Sequence, residues 1–189
     1  MTTKLFAFTG KAGAGKSTAA DALEHGLGFE RVKFAGPLKA MLRAFYHECG
    51  VDDETIERKI EGDLKETPCE LLGGKTPRFA MQTLGTEWGR DQISPTLWVD
   101  AWRSRVAEEL LFGRPVVCDD CRFPNECEAI EVLGGTIIEI VRPGVGDLLD
   151  VGGHVSESGV EPHETIINDE STQAMQSAVL RRAFKEPSK

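Results

Sequence analysis

Two kinds of run alternate along the chain. Short apolar runs rich in β-branched and aromatic residues occupy 4–9, 29–34, 116–118, 136–141 and 165–167. They read as five strands. Longer runs repeat apolar positions three and four apart over 15–25, 38–48, 98–112, 125–133 and 171–184. They read as amphipathic helices, and in the second Leu38, Met41, Leu42 and Phe45 share a face. Glycines close several of them, with Gly26 and Gly28 after the first and Gly134 after the fourth. Another helical run follows Pro77, with Arg78, Met81, Leu84 and then Trp88 or Gly89 on one side and an interruption at Gly85. Residues 51–66 are acidic and helical in character, 67–75 form a Pro/Gly-bearing loop, and 145–162 are glycine-rich and irregular. Nothing between 51 and 75 resembles core sheet, so this region reads as an insertion over the ligand-binding edge. Five short strands separated by helices imply an α/β fold, a five-stranded parallel sheet with helices on both faces. Ligands of such sheets sit beyond the carboxyl ends of the strands. That rim would carry the loop after the first strand, Asp119 with Asp120, and Arg142.

The first strand leads into Gly10-Lys11-Ala12-Gly13-Ala14-Gly15-Lys16-Ser17-Thr18. This is G-x-x-x-x-G-K-[ST] between a strand and a helix, the pattern of a phosphate-binding loop. Gly10, Gly13 and Gly15 let the backbone curl so that its N–H groups face phosphate oxygens. The helix N-terminus adds positive potential. Lys16 is placed to reach β- and γ-phosphates, and the Ser17 hydroxyl to ligate Mg²⁺.

Composition narrows the ligand. With 189 residues, 40% hydrophobic and 28% charged, the chain has the size and balance of one globular domain. A net charge of -9 argues against general binding to nucleic acid or anionic membrane. A phosphate compound must therefore be met by basic residues gathered locally. No signal peptide or membrane-length apolar run is visible, and five cysteines without a disulfide spacing suit a reducing cytoplasm.

An acidic residue at a strand end is the second half of a phosphate-loop metal site. Asp119 and Asp120 both qualify, and successive strand residues alternate, so one points toward metal or substrate and the other away. We assign Asp119 to the metal and Asp120 to the substrate, an order that spacing alone leaves open. Arg78, Arg122 and Arg142 each lie just past an element boundary, where guanidinium forks can bind phosphate and offset transition-state charge. Cys118 and Cys121 with Cys127 do not make a closed zinc site, which needs four ligands, and read as small buried residues. His154 need not act as a base, because an acceptor phosphate is already ionised, and a structural or orienting role is favoured. Trp98 and Trp88 are either core or base-stacking platforms.

These pieces together resemble the deoxynucleoside monophosphate kinases of bacteriophages. The resemblance rests on the phosphate loop, Ala35-Gly36-Pro37-Leu38-Lys39, and the block from Arg78 through Met81-Gln82-Thr83-Leu84-Gly85-Thr86. It continues through Trp98-Val99, Asp120-Cys121-Arg122 with Phe123-Pro124-Asn125-Glu126, Val141-Arg142-Pro143-Gly144, His154-Val155-Ser156-Glu157 and Ile167-Asn168-Asp169. It implies a three-layer P-loop fold of nucleotide-kinase type, with a helical acceptor-binding insertion over about 38–112 and a lid-like loop over about 143–162. The implied reaction moves the γ-phosphoryl of ATP to a deoxynucleoside 5′-monophosphate, in the cytoplasm, that of the host for a phage protein. Gly10, Gly13, Ala14, Gly15, Lys16, Ser17 and Thr18 would hold ATP phosphates and Mg²⁺. Lys39, Arg78, Gln82, Gly85, Thr86, Trp98, Asp120 and Arg122 would line the monophosphate pocket. Lys16, Arg122 and the lid arginine Arg142 would carry the catalysis. Base preference and oligomeric state, a homodimer included, are not set by these residues. Two rival readings are a kinase of another phosphorylated metabolite, such as dephospho-coenzyme A, and an ATP-binding regulatory module without transfer activity.

Overall fold

A computed structural model describes residues 5–144 and 160–184. The chain falls into two compact units, one of Met1–Phe34 with Arg103–Lys189 and one of Ala35–Trp102. The first is built on a five-stranded sheet. β1 (Leu5–Thr9), β2 (Glu30–Arg31), β3 (Val116–Cys118), β4 (Thr136–Val141) and β5 (Glu164–Ile167) lie in the order β2-β3-β1-β4-β5. Every neighbouring pair is parallel. The central strand β1 is buried at all five positions, as a parallel strand covered on both faces must be.

Alternation along the strands divides the core. Phe6, Phe8, Val117, Ile138 and Ile140 pack with Ala19, Ala20 and Leu23 of α1 (Lys16–Leu27) and with Met175, Val179 and Ala183 of α7 (Thr172–Phe184). On the other face Leu5 and Ile130 of α6 (Pro124–Val132) close over Gly135, where a Cβ would sit 2.6 Å from Ile130 and 2.8 Å from Leu5. Each of these fully buried aliphatic or aromatic side chains contributes about 1.5–3 kcal/mol.

The second strand is shorter than its apolar run suggests. Only Glu30 and Arg31 pair as strand. The Val32 N–H still reaches the Val117 carbonyl at 3.0 Å, but the Phe34 N–H turns to the Asp120 carboxylate at 2.9 Å. An edge strand has one free side, so a side chain at the rim can take over its donors.

The second unit is helical. α2 (Gly36–Glu48), α3 (Asp53–Ile60) and α4 (Pro77–Thr83) enclose Leu38, Leu42, Tyr46, Ile56, Ile60, Met81 and Trp98. α5 (Leu97–Leu111) begins in this unit and continues into the first. α3 starts at the Asp52 cap, whose carboxylate accepts the Thr55 N–H at 2.9 Å. It ends earlier than the helical composition of 51–66 suggests, because Glu61-Gly62 turns back onto the Glu57 and Arg58 carbonyls. Residues 63–66 and 70–72 are single 3₁₀ turns.

Gly85 does not interrupt the helix after Pro77. The backbone continues from α4 into a π-helix, Leu84–Ile93, closing with the Ser94 N–H on the Gly89 carbonyl at 3.0 Å. The reason is Trp98. A Cβ on Gly89 would lie 2.5 Å from its ring, and the Trp98 Nε1–H donates to the Gly85 carbonyl at 2.8 Å. The two glycines receive the indole, and Trp98 is core, at 4% exposure. Trp88 packs against it with ring centroids 6.1 Å apart.

Candidate active site

The phosphate loop joins β1 to α1. Gly10, Gly13 and Gly15 all hold positive φ, at 124°, 81° and 110°. Gly10 also lies so close to β4 that a Cβ would be 2.3 Å from the Ile140 carbonyl oxygen. Ala14, between two of these glycines, is buried, while Ser17 is exposed at the start of α1. The Lys16 ammonium folds over the loop and donates to the Gly10 carbonyl and, at 2.9 Å, to the Lys11 carbonyl. Its charge is thereby held against the backbone at the start of the loop. From the far end of the chain, the Asn168 Nδ2 donates to the Ala14 carbonyl at 2.8 Å.

The β3 end carries the acidic pair, and the two carboxylates part as alternation requires. The Asp119 side chain is 2% exposed, with Arg31 Nη1 and Lys33 Nζ each at 3.5 Å. Neither of its buried oxygens accepts a hydrogen bond. Asp120 instead accepts the Phe34 N–H and, at 3.2 Å, the Cys118 S–H. Burial, and then the charge of Asp120, push the Cys118 thiol well above its usual range, which makes it an inert packing group. Arg31 is also bound by Asp21 at 2.5 Å and Glu24 at 2.7 Å. Burial alone would lower its pKa, but the Asp21 hydrogen bond and the charges of Asp119, Glu24 and Asp21 outweigh that and raise it.

Arg122 follows directly. Its backbone N–H and that of Phe123 donate to the buried Glu126 carboxylate at 2.8 and 3.1 Å, which fixes the start of α6. Its side chain is exposed, and among the described residues its guanidinium makes no ion pair. Arg142, also exposed, immediately follows β4. Most of 143–162, with His154, lies outside the described residues.

In the helical unit, Lys39 donates to both Glu61 oxygens at 2.8 Å. Arg43 joins that network through Glu57 at 2.5 Å and Glu61 at 3.4 Å. Arg78 is paired with Glu66 on the surface. Gln82 and Thr86 are exposed, one on the last turn of α4 and one on the π-helix. Gly85 and Trp98 are spent on each other, as described above, so the indole is not an open platform.

Sequence reasoning missed Arg31 and Lys33, and any role for Glu126 and Asn168. Arg31 did carry a signal. It shares a strand face with the buried Phe29, and a charge on an inward face needs a partner.

Residues 75–179 match the family of deoxynucleotide monophosphate kinases. A protein of Acanthamoeba polyphaga mimivirus, provisionally named a deoxynucleotide monophosphate kinase, is 31% identical over 186 residues, covering 93% of this chain and 94% of its own. The chain belongs to the deoxynucleotide monophosphate kinase family. As a family member it has the P-loop kinase fold that the resemblance implies, built on the parallel sheet expected from its strand pattern. The solved structure of Mycobacterium tuberculosis APS kinase in complex with AMPPNP and APS aligns with TM-score 0.53 at 12% identity, over 97% of this chain and 98% of that one. TT1252 from Thermus thermophilus aligns with TM-score 0.52 at 18% identity, over 98% and 100%. At such identities the likeness is one of fold. The expected family is thus matched by a relative from a giant virus rather than from a bacteriophage. No described helix is long and apolar enough to cross a membrane.

Proposed function

We propose that this kinase transfers the γ-phosphoryl group of ATP to a deoxynucleoside 5′-monophosphate, giving ADP and the deoxynucleoside diphosphate. The observation that carries the reading is a phosphate loop curled by three positive-φ glycines, with Lys16 drawn over it, in a chain of this family. An oxygen of the acceptor phosphate attacks the γ-phosphorus, and the bond from that phosphorus to the β,γ-bridging oxygen breaks. The acceptor is already ionised, so no side chain need remove a proton. Residues 10–18 hold the donor phosphates through backbone N–H groups, and Lys16 offsets charge on the β- and γ-oxygens. We assign to acceptor binding Asp120 and Arg122 in the first unit and, in the helical unit, Lys39, Arg78, Gln82 and Thr86, with Gly85 and Trp98 as support of the helical part. Arg142 and Arg122 neutralise the transferring group.

Ser17 and Asp119 supply one hydroxyl and one carboxylate, the oxygen donor set of a hard divalent cation. The two Asp119 oxygens accept no hydrogen bond and meet Arg31 and Lys33 only at 3.5 Å, which leaves them able to take Mg²⁺ or its water shell. Ser17 and Asp119 would hold Mg²⁺, which would supply neutralisation of the donor phosphate charge.

Coupled assay of ADP release across the deoxynucleoside monophosphates tests the reading. Stimulation by at least one is expected, and no stimulation by any rejects it. Activity only on another phosphorylated metabolite selects that rival. Tight ATP binding without transfer to any acceptor selects the regulatory module. Lys16→Met should abolish turnover with every acceptor, and Arg122→Ala should mainly raise the acceptor KM.

A further inference from the structure

We propose that Asn168 is a positioning residue that sets the direction of a phosphate-loop N–H group. Asn168 is the first residue after β5, and two hydrogen bonds fix it there. Its backbone N–H donates to the Val141 carbonyl at 2.7 Å, at the last residue of β4. Its side-chain Nδ2 donates to the Ala14 carbonyl at 2.8 Å, across 154 positions of sequence. The second bond governs the peptide unit between Ala14 and Gly15. A trans peptide is planar, with C=O and N–H pointing in opposite directions. Holding the Ala14 carbonyl toward Asn168 therefore points the Gly15 N–H out of the opposite edge of that plane, away from Asn168. A Cβ on Gly15 would lie 2.7 Å from the Asn168 Nδ2, so the contact also fixes which residue can stand there.

Gly15 is the N-cap of α1, at φ 110°, and its own carbonyl accepts the Ala19 N–H at 2.9 Å. One face of the residue is committed to the helix and the preceding carbonyl to Asn168. The Gly15 N–H is then left as a fixed donor rather than a rotating one. Preorganised donors of this kind need no reorganisation when an oxyanion arrives. The Val141 bond adds a second consequence. The residue that aims the loop is anchored one position before Arg142, so loop and rim arginine share a fixed point.

The role rests on ATP being the phosphoryl donor, as proposed above. Asn168→Ala removes the Nδ2 donor. Asn168→Asp keeps its shape, removes the donor and sets a carboxylate against the Ala14 carbonyl. Titration with a fluorescent ATP analogue, steady-state KM for ATP and for the acceptor, and melting temperature are measured on wild type and both variants. Loss of the bond leaves a buried carbonyl unpaired, so ATP affinity should fall by about tenfold or more. The Asp variant should be the weaker binder, and the acceptor KM should stay within about twofold in both. A residue that only fills space would lower the melting temperature of the Ala variant and spare the Asp variant's ATP affinity, which would overturn the proposal. If Ala fails to fold, the isosteric Asp variant gives the same discrimination. Wild type that binds no ATP removes the donor reading and this role with it. Wild type that binds ATP no better than Asn168→Asp removes only the role.

Discussion

Gly10→Ala should damage stability and ATP binding together, and by more than its backbone angle alone predicts. At φ 124° an alanine lies outside even the left-handed helical region, which costs about 1–3 kcal/mol. The new Cβ also meets the Ile140 carbonyl oxygen at 2.3 Å, where real contacts do not fall below 3.0 Å. That neighbour is backbone of β4, paired to β1 along Phe6–Thr9, and cannot rotate aside. The strands must separate at the end where the loop begins, adding about 1–3 kcal/mol of the kind seen in overpacked cores. At about 2–4 °C per kcal/mol for a chain of this size, the melting temperature should drop by about 5–20 °C. Gly28→Ala isolates the backbone term, because Gly28 has φ 68° with nothing within 4 Å of its Cβ. It should cost about 1–2 kcal/mol and leave ATP affinity unchanged. Thermal melts with ATP titration of the folded fraction make the comparison. Equal melting shifts, or wild-type ATP affinity in Gly10→Ala, would show that the loop is not braced against β4.

Glu109 tests the buried charge. Its carboxylate is 1% exposed and meets Arg105 at 2.5 Å and Arg114, whose own side chains are half-exposed. Replacing both arginines by alanine should cost about 3–5 kcal/mol in urea unfolding, while Glu109→Leu should be near neutral, because only the first leaves a buried charge unpaired. Acid should weaken the helical unit. The Thr55 N–H, the Arg43 hydrogen bond and the Arg58 hydrogen bond hold Asp52, Glu57 and Asp63 below the usual carboxylate range. In that window the unfolded chain binds more protons, so stability is full above pH of about 4.5 and is lost as pH falls toward the lowered values. Melting curves from pH of about 6 to 3 should show it, with a shallower acid limb in Arg43→Ala. Glu66→Gln should lower the acceptor KM severalfold in the coupled assay, since it frees Arg78, and an unchanged KM would remove Arg78 from the acceptor side.

What the sequence disclosed follows its physical range. β1 and β3 were legible because strands buried on both faces read as nearly continuous apolar runs, and both are buried throughout; β4 was legible from its buried Ile137, Ile138 and Ile140, although Glu139 interrupts the run. The phosphate loop was legible because its glycines, Lys16 and Ser17 act within nine residues of one another. The π-helix was not, because the reason for Gly85 and Gly89 is an indole at position 98. A glycine that admits a distant side chain looks, from its neighbours, like one that breaks a helix. The link from Asn168 to Ala14 was hidden for the same reason, and so was the turn of the Phe34 N–H to Asp120, 86 positions away.

The charges explain how an acidic protein keeps cations for an anionic ligand. At net charge -9, arginines and lysines draw the chain's own carboxylates: the exposed Arg78 is held by Glu66, and Lys39, whose side chain is 13% exposed, by Glu61. Exposed pairs such as Arg78–Glu66 are worth about 0–1 kcal/mol each, because solvent screens them. They nonetheless restrict long side chains that would otherwise carry about 2 kcal/mol of rotamer entropy. A phosphate arriving at a guanidinium can offer two charge-assisted hydrogen bonds and more charge than the carboxylate it displaces. The exchange is therefore favourable although both states are paired, and the entropy of ordering the cation has been lost before the ligand binds. Arg122 differs, since its backbone is fixed by Glu126 while its guanidinium has no ion-pair partner among the described residues. Among the described residues it has no carboxylate to displace, so on the proposed acceptor side it is the cation whose interaction with phosphate is least offset by a competing pair.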